Sequence, residues 1–131
     1  MKVVTLTSEE VVWNVTASRA PMKSKDVCRS QLQYEIGELL QRRFPYDTIL
    51  EDITIPRSKL SLDFFIPQRR IAIEVQGSQH FNQNSFFHET KTDFFRQQER
   101  DLQKAKFCSL NRITLYTFSS LEEAQAMFKT T

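Results

Sequence analysis

Two rhythms of apolar and polar residues run along this chain, and their order predicts most of its elements. From residue 26 to 43, Cys28, Leu32, Ile36, Leu39 and Leu40 recur at helical spacing. Ser24 or Asp26 is available as N-cap and Pro45 follows the end, so an amphipathic helix is expected there. The rhythm then shortens. "TILEDITI", "LSLDFFI" and "IAIEVQ" are short runs rich in Ile, Leu, Val and Phe, separated by "PRSK" and "PQRR" turns, which predicts an antiparallel meander. Residues 77 to 90 read as a loop, and residues 91 to 110 as a long polar helix carrying Phe94, Phe95, Leu102 and Cys108. "RITLYTF" is a fourth core strand. The tail "SSLEEAQAMFK" is a helix whose capping box is Ser120 to Glu123, with Ser119 to Glu122 as the other register. Near the start, residues 3 to 6 and 11 to 15 suit short strands, and "TASRAPMKSKD" suits a polar link. The fold class expected is α/β, a three-layer sandwich with a mixed central sheet of about four core strands flanked by helices. Residues 1 to 25 form an N-terminal strand arm and linker, and residues 26 to 131 the main domain.

The second and third runs of the meander carry acids where apolar residues are expected. With residues 67 to 70 as a four-residue connection, Ile66 pairs with Ile71 and Asp63 lies opposite Glu74. Leu62 then faces Val75, Phe64 faces Ile73, and one surface of the hairpin is wholly apolar. Asp63, Glu74 and Gln76 share the other. Opposed Cβ atoms lie about 5 Å apart, and like charges there repel, so a positive group belongs between them. Two oxygen ligands on adjacent strands suit Mg²⁺ or Mn²⁺. Arg or Lys neighbours on an ordinary sheet face are the alternative.

Composition narrows the classes without choosing among them. The chain has 131 residues, 40% hydrophobic and 26% charged, with eleven Phe, which suits one globular domain and not a disordered chain. A net charge of +2 tolerates a polyanionic partner without demanding one. Cys28 and Cys108 form neither a disulfide framework nor a zinc motif and read as free thiols. No run approaches the ~20 apolar residues of a membrane-spanning helix, and no signal peptide is recognisable, so a soluble cytoplasmic protein without a membrane partner is expected.

The pattern Asp63, then Glu74-Val75-Gln76, resembles the core of the PD-(D/E)XK, or restriction-endonuclease-like, nucleases, with Gln76 where lysine is usual. "EVQGSQHF" followed by "RDLQKAKFCSLNRITLYTF" is similar to the very-short-patch-repair-like branch found among phage and homing-type endonucleases. The likeness covers roughly residues 30 to 118. It implies a metal-dependent DNA endonuclease in which Asp63, Glu74 and the Val75 carbonyl bind Mg²⁺ or Mn²⁺, and Gln76 orients the attacking water. It also implies roles for Glu35 on the first helix, His80 as general base or phosphate ligand, and Lys104, one turn from Asp101, as the missing positive charge. A solvated Glu35, a non-catalytic His80 and a Lys104–Asp101 surface pair are the bland counterparts, and His88 is a weaker candidate than His80. Arg42, Arg43, Arg57, Lys59, Arg69 and Arg70 are candidate DNA-phosphate contacts or merely solubilising groups. Tyr116, Phe81, Phe86, Phe87, Phe94 and Phe95 read mainly as core rings, with base stacking as the alternative. The missing lysine leaves a degenerate nuclease fold that binds DNA or protein as a second reading, and an RNase as a third. A homodimer and a protein partner that supplies specificity are compatible with all three.

Overall fold

The computed structural model describes residues 1 to 76 and 91 to 129. The chain runs β1 (Lys2–Val4), β2 (Glu10–Val12), α1 (Gln31–Arg43), β3 (Leu50–Thr54), β4 (Ser61–Ile66), β5 (Ile71–Val75), α2 (Lys91–Leu110), β6 (Thr114–Phe118) and α3 (Leu121–Met127). β1 and β2 form an antiparallel ribbon, and the main sheet has the order β3-β4-β5-β6. β3, β4 and β5 are an antiparallel meander; β6 joins β5 in parallel after the crossover through α2. This is a mixed α/β fold built on a four-stranded mixed sheet, as the sequence predicts. Among the described residues no helix is long and apolar enough to cross a membrane.

Local chemistry accounts for the elements. α1 begins at Ser30, whose side chain accepts from the Gln33 N–H, and not at Ser24 or Asp26. The helix thus starts five residues later than the expected residue 26, because residues 23 to 29 are held against β3 instead. Gly37 lets α1 lie close to the sheet: a Cβ there would come within 3.2 Å of the Phe64 ring. The connection after β4 is a tight 3-10 turn, Pro67–Arg69, closed by Arg70 in the left-handed region at φ 51°. The expected register follows, with Phe64 on Ile73, Phe65 on Ala72 and Ile66 on Ile71. α3 starts in the Ser120 to Glu123 register: the Ser120 hydroxyl accepts from Glu123 N–H, and the Glu123 carboxylate accepts from Ser119 N–H.

The sheet is packed on both sides. Phe64, Ile66 and Ile73 join Ile36, Leu39 and Leu40 of α1 and Ala124 of α3 in one apolar cluster. Leu50, Phe65 and Ala72 join Phe107 of α2 and Trp13 in the other. Trp13 stacks on Phe65 at 4.9 Å and meets Phe107 edge-on at 5.3 Å, so residues 1 to 25 contribute to the core and are no detached arm. The wholly apolar hairpin surface is not realised: Leu62 sits in the Trp13 cluster, whereas Val75 packs with the α1 cluster. The β4–β5 ladder stops at Phe64 and Ile73, and Asp63 marks the divergence.

Candidate functional site

At the open end of the β4–β5 hairpin the two acids replace the missing ladder bonds. The Asp63 N–H donates to Glu74 Oε2 at 2.8 Å, and the Val75 N–H donates to Asp63 Oδ2 at 2.7 Å. Each carboxylate is therefore fixed by a main-chain amide of the opposite strand. The register that the alternation predicts puts both acids there, and the strand divergence gives their oxygens room to reach those amides. α2 supplies the cation: Lys104 Nζ lies 2.5 Å from Glu74 Oε1, with both side chains largely buried. The i, i+3 pairing of Lys104 with Asp101 does not form; Asp101 accepts instead from the Gln97 amide at 3.0 Å.

Charge is under-compensated at this point. Asp63 is only 9% exposed. Burial first, then the neighbouring Glu74 carboxylate, push its pKa from 3.8 up to about 7, although the Val75 N–H and Lys104 pull the other way. Asp52 on β3 adds a smaller upward push. Cys108 of α2 feels the same surroundings: burial, then Glu74, raise its thiol to about 12, which leaves it inert. Among the described residues Asp63 Oδ1 accepts no hydrogen bond, and no group of three or more His, Cys, Asp or Glu is arranged around a common centre. Two hard carboxylate oxygens on adjacent strands, in a pocket that penalises their joint ionisation, are a donor set that fits one divalent cation completed by water or a main-chain carbonyl.

The remaining sequence candidates divide sharply. Gln76 has an exposed side chain, and its N–H donates to the Phe118 carbonyl at 2.9 Å. The contact Glu35 makes is with Gln31 on its own helix, at 2.9 Å. His80, His88, Phe81, Phe86 and Phe87 lie outside the described residues. Arg57 and Lys59 are exposed on the β3–β4 turn, at the same end of β4 as Asp63. Arg69 and Arg70 follow the other end of β4, and Arg43 meets Arg69 over the Phe44 ring, so the six basic residues do not form one patch beside the acids. Arg70 donates to the Asn111 carbonyl at the end of α2 at 2.7 Å, and Arg69 is paired with Asp47. Arg43 and Arg69 both lie over the Phe44 ring, at 4.8 and 5.5 Å. Tyr116 packs among Phe118 and Phe128, as the core reading expects. Phe94 and Phe95 do not: they are 57% and 63% exposed.

A second polar cluster on β3 has no counterpart among the sequence candidates. Glu51, 2% exposed, accepts from the Lys23 N–H at 2.8 Å, the Gln33 amide at 2.9 Å and the Cys28 thiol at 3.1 Å. Asp52 next to it adopts φ 52°, a left-handed geometry that Asp tolerates, and pairs with Lys23 and with Arg29. That twist turns both consecutive side chains toward Gln33 of α1. The signal was present in "LED" inside an apolar run, the same kind of signal that marks Asp63.

Comparison with known proteins adds relatives without a stated role. The chain is 29% identical over 101 residues to the uncharacterized protein 307L of Invertebrate iridescent virus 6, an alignment covering 68% of this chain and 51% of the relative. It is 36% identical over 61 residues to the uncharacterized protein 033L of Invertebrate iridescent virus 3, covering 47% of this chain and 31% of the relative. The chain thus spans about half the length of the first relative and about a third of the second. No family model and no solved structure matches it.

Proposed function

We propose that this chain is a Mg²⁺- or Mn²⁺-dependent endonuclease of the restriction-endonuclease-like type, acting on DNA phosphodiesters. The observation that carries the proposal is the crossed pairing of Asp63 and Glu74 with each other's strands, with Lys104 on Glu74. Asp63, through Oδ1, and Glu74 would hold the cation, with the Val75 carbonyl as a further ligand. A bound divalent cation supplies Lewis acidity toward the phosphate and lowers the pKa of a bound water. The main-chain amides fix one oxygen of each carboxylate, and Glu74 Oε1 would exchange Lys104 for the cation on binding. Lys104 brings from α2 the positive charge that Gln76 cannot carry, and once released from Glu74 it would hold a phosphate oxygen; Gln76 would orient a water by hydrogen bonding. Arg57 and Lys59, at the same end of β4 as Asp63, are the first candidates for phosphate contacts.

One observation favours a second reading. Lys104 already neutralises Glu74 without a metal, which is how a binding module on a degenerate nuclease fold would close its former centre. Supercoiled plasmid, branched DNA, single-stranded DNA and structured RNA offered with EDTA, Mg²⁺ or Mn²⁺ separate these readings. Metal-dependent cutting of DNA that disappears in Asp63→Ala supports the endonuclease. Cutting of RNA alone moves the assignment to a ribonuclease, and DNA binding without cutting in any metal sinks the enzyme and leaves the binding module.

A further inference from the structure

α2 carries an outward-facing stripe whose residue order is its own complement. Lys104, Phe107 and Cys108 face the sheet or the core, whereas residues 91 to 100 are exposed except for half-buried Gln97. At ~100° per residue, Phe95, Glu99, Leu102, Lys106 and Leu110 fall within a sector about 80° wide on the outer side. All five are exposed, Phe95 by 63%, Leu102 by 65% and Leu110 by 46%. Read in order, the stripe is apolar, acidic, apolar, basic, apolar, at spacings of four, three, four and four residues, close to the three-and-four rhythm of helix-pairing seams. Neither Glu99 nor Lys106 has an ion-pair partner among the described residues.

We propose that this stripe is a two-fold interface between two copies of the chain, with the α2 helices antiparallel and crossing at Leu102. A two-fold axis beside Leu102 sets Leu102 against its own copy. It brings Phe95 of one molecule over Leu110 of the other, and Glu99 of one beside Lys106 of the other, each twice. The reversed order of charge is what commits the surface to a second copy: a parallel arrangement would place Glu99 against Glu99 and Lys106 against Lys106. One helix pair buries less than a standard interface, so self-association in the micromolar range is expected, not an obligate dimer. Lys104 points away from the seam, so both Asp63–Glu74 centres stay accessible, one on each side of the helix pair.

Sedimentation velocity from about 5 µM to about 500 µM tests the interface without reference to any enzymatic activity. The chain is expected to pass from monomer to dimer across that range. Leu102→Asp, Glu99→Lys and Lys106→Glu should each weaken association about tenfold or more, with helicity by circular dichroism unchanged because all three positions are exposed. The double variant Glu99→Lys with Lys106→Glu should restore association to within about twofold. A monomer at every concentration overturns the proposal, and so does association that Leu102→Asp leaves intact or that the double reversal fails to restore. Loss of nucleic-acid binding by Leu102→Asp in a monomeric protein would also overturn it and assign the stripe to nucleic acid.

Discussion

The sheet holds two pairs of buried acids, and they are treated in opposite ways. Glu51 and Asp52 on β3 are surrounded by donors: the Lys23 amide, the Cys28 thiol and the Gln33 amide group on Glu51, and Lys23 with Arg29 on Asp52. Asp63 and Glu74 have two backbone amides and a single lysine between them, and Asp63 is left with a pKa near 7. Burial is similar; compensation is not. A fully satisfied acid ties α1 and the chain before it to β3, and what it contributes is architecture. An under-satisfied pair leaves a demand for positive charge, and that difference is why the proposed metal site is assigned to Asp63 and Glu74 and not to Glu51 and Asp52.

The widest gap between the pairs should appear in activity. Asp63→Ala or Glu74→Ala is expected to lower metal-dependent cleavage by about three orders of magnitude or more, while Glu51→Gln changes the cleavage rate little once the fraction folded is corrected for. Equal losses from both pairs would erase the distinction drawn here. In chemical denaturation the order reverses. Glu51→Ala strands the Lys23 N–H, the Cys28 thiol and the Gln33 amide in the interior and should cost about 3 kcal/mol, whereas Asp63→Asn without metal should cost well under 1 kcal/mol or stabilise the fold.

The pH dependence is subtler and has a definite sign. Because burial and Glu74 raise Asp63 to about 7, the folded chain binds that proton more tightly than the unfolded chain. The stabilisation this gives is complete below 3.8 and is lost as pH rises through about 7. Without metal, the wild type should therefore melt about 5 °C lower at pH 8 than at pH 5.5, and Asp63→Asn should lose most of that difference. Mg²⁺ should bind more tightly above pH 7 for the same reason, since the proton must leave. The smallest effect is expected at the edge of the satisfied cluster: Lys23→Met, whose side chain is 35% exposed, should change stability by less than about 1 kcal/mol.

The hairpin was legible because strand alternation and a four-residue connection containing Pro67 leave few registers open, and the predicted one is the one found. That register brings Asp63 and Glu74 near each other, although the ladder ends at Phe64 and Ile73, one residue before they would pair. Less legible was the direction in which those side chains bond, since exchange with backbone amides requires the strands to part at Leu62 and Asp63, and no local pattern encodes that divergence. The start of α1 was misplaced because Ser24, Asp26 and Ser30 are all competent caps. Docking of Lys23 and Cys28 on Glu51, a contact across more than twenty residues, decides among them. Glu35 is the polar position of α1 that the resemblance singles out, yet the inward polar position is Gln33, 3% exposed. Phe94 and Phe95 are core by hydrophobicity alone, but hydrophobicity does not say which turns of a helix meet the rest of the fold, and both rings are exposed.

Asn111 joins the two ends of the described chain: its side chain accepts from the Val4 N–H at 2.7 Å and donates to the Val4 carbonyl at 2.9 Å, across 107 positions. That contact has a consequence in time. A ribosome adding residues at ordinary speed needs roughly 5 to 20 s to travel from one partner to the other. Throughout that interval β1 and β2 are synthesised but undocked, with Trp13 waiting for Phe107. The β1–β2 ribbon, made before the main sheet, is among the last pieces to be locked, and a chaperone or protease would find it open longest.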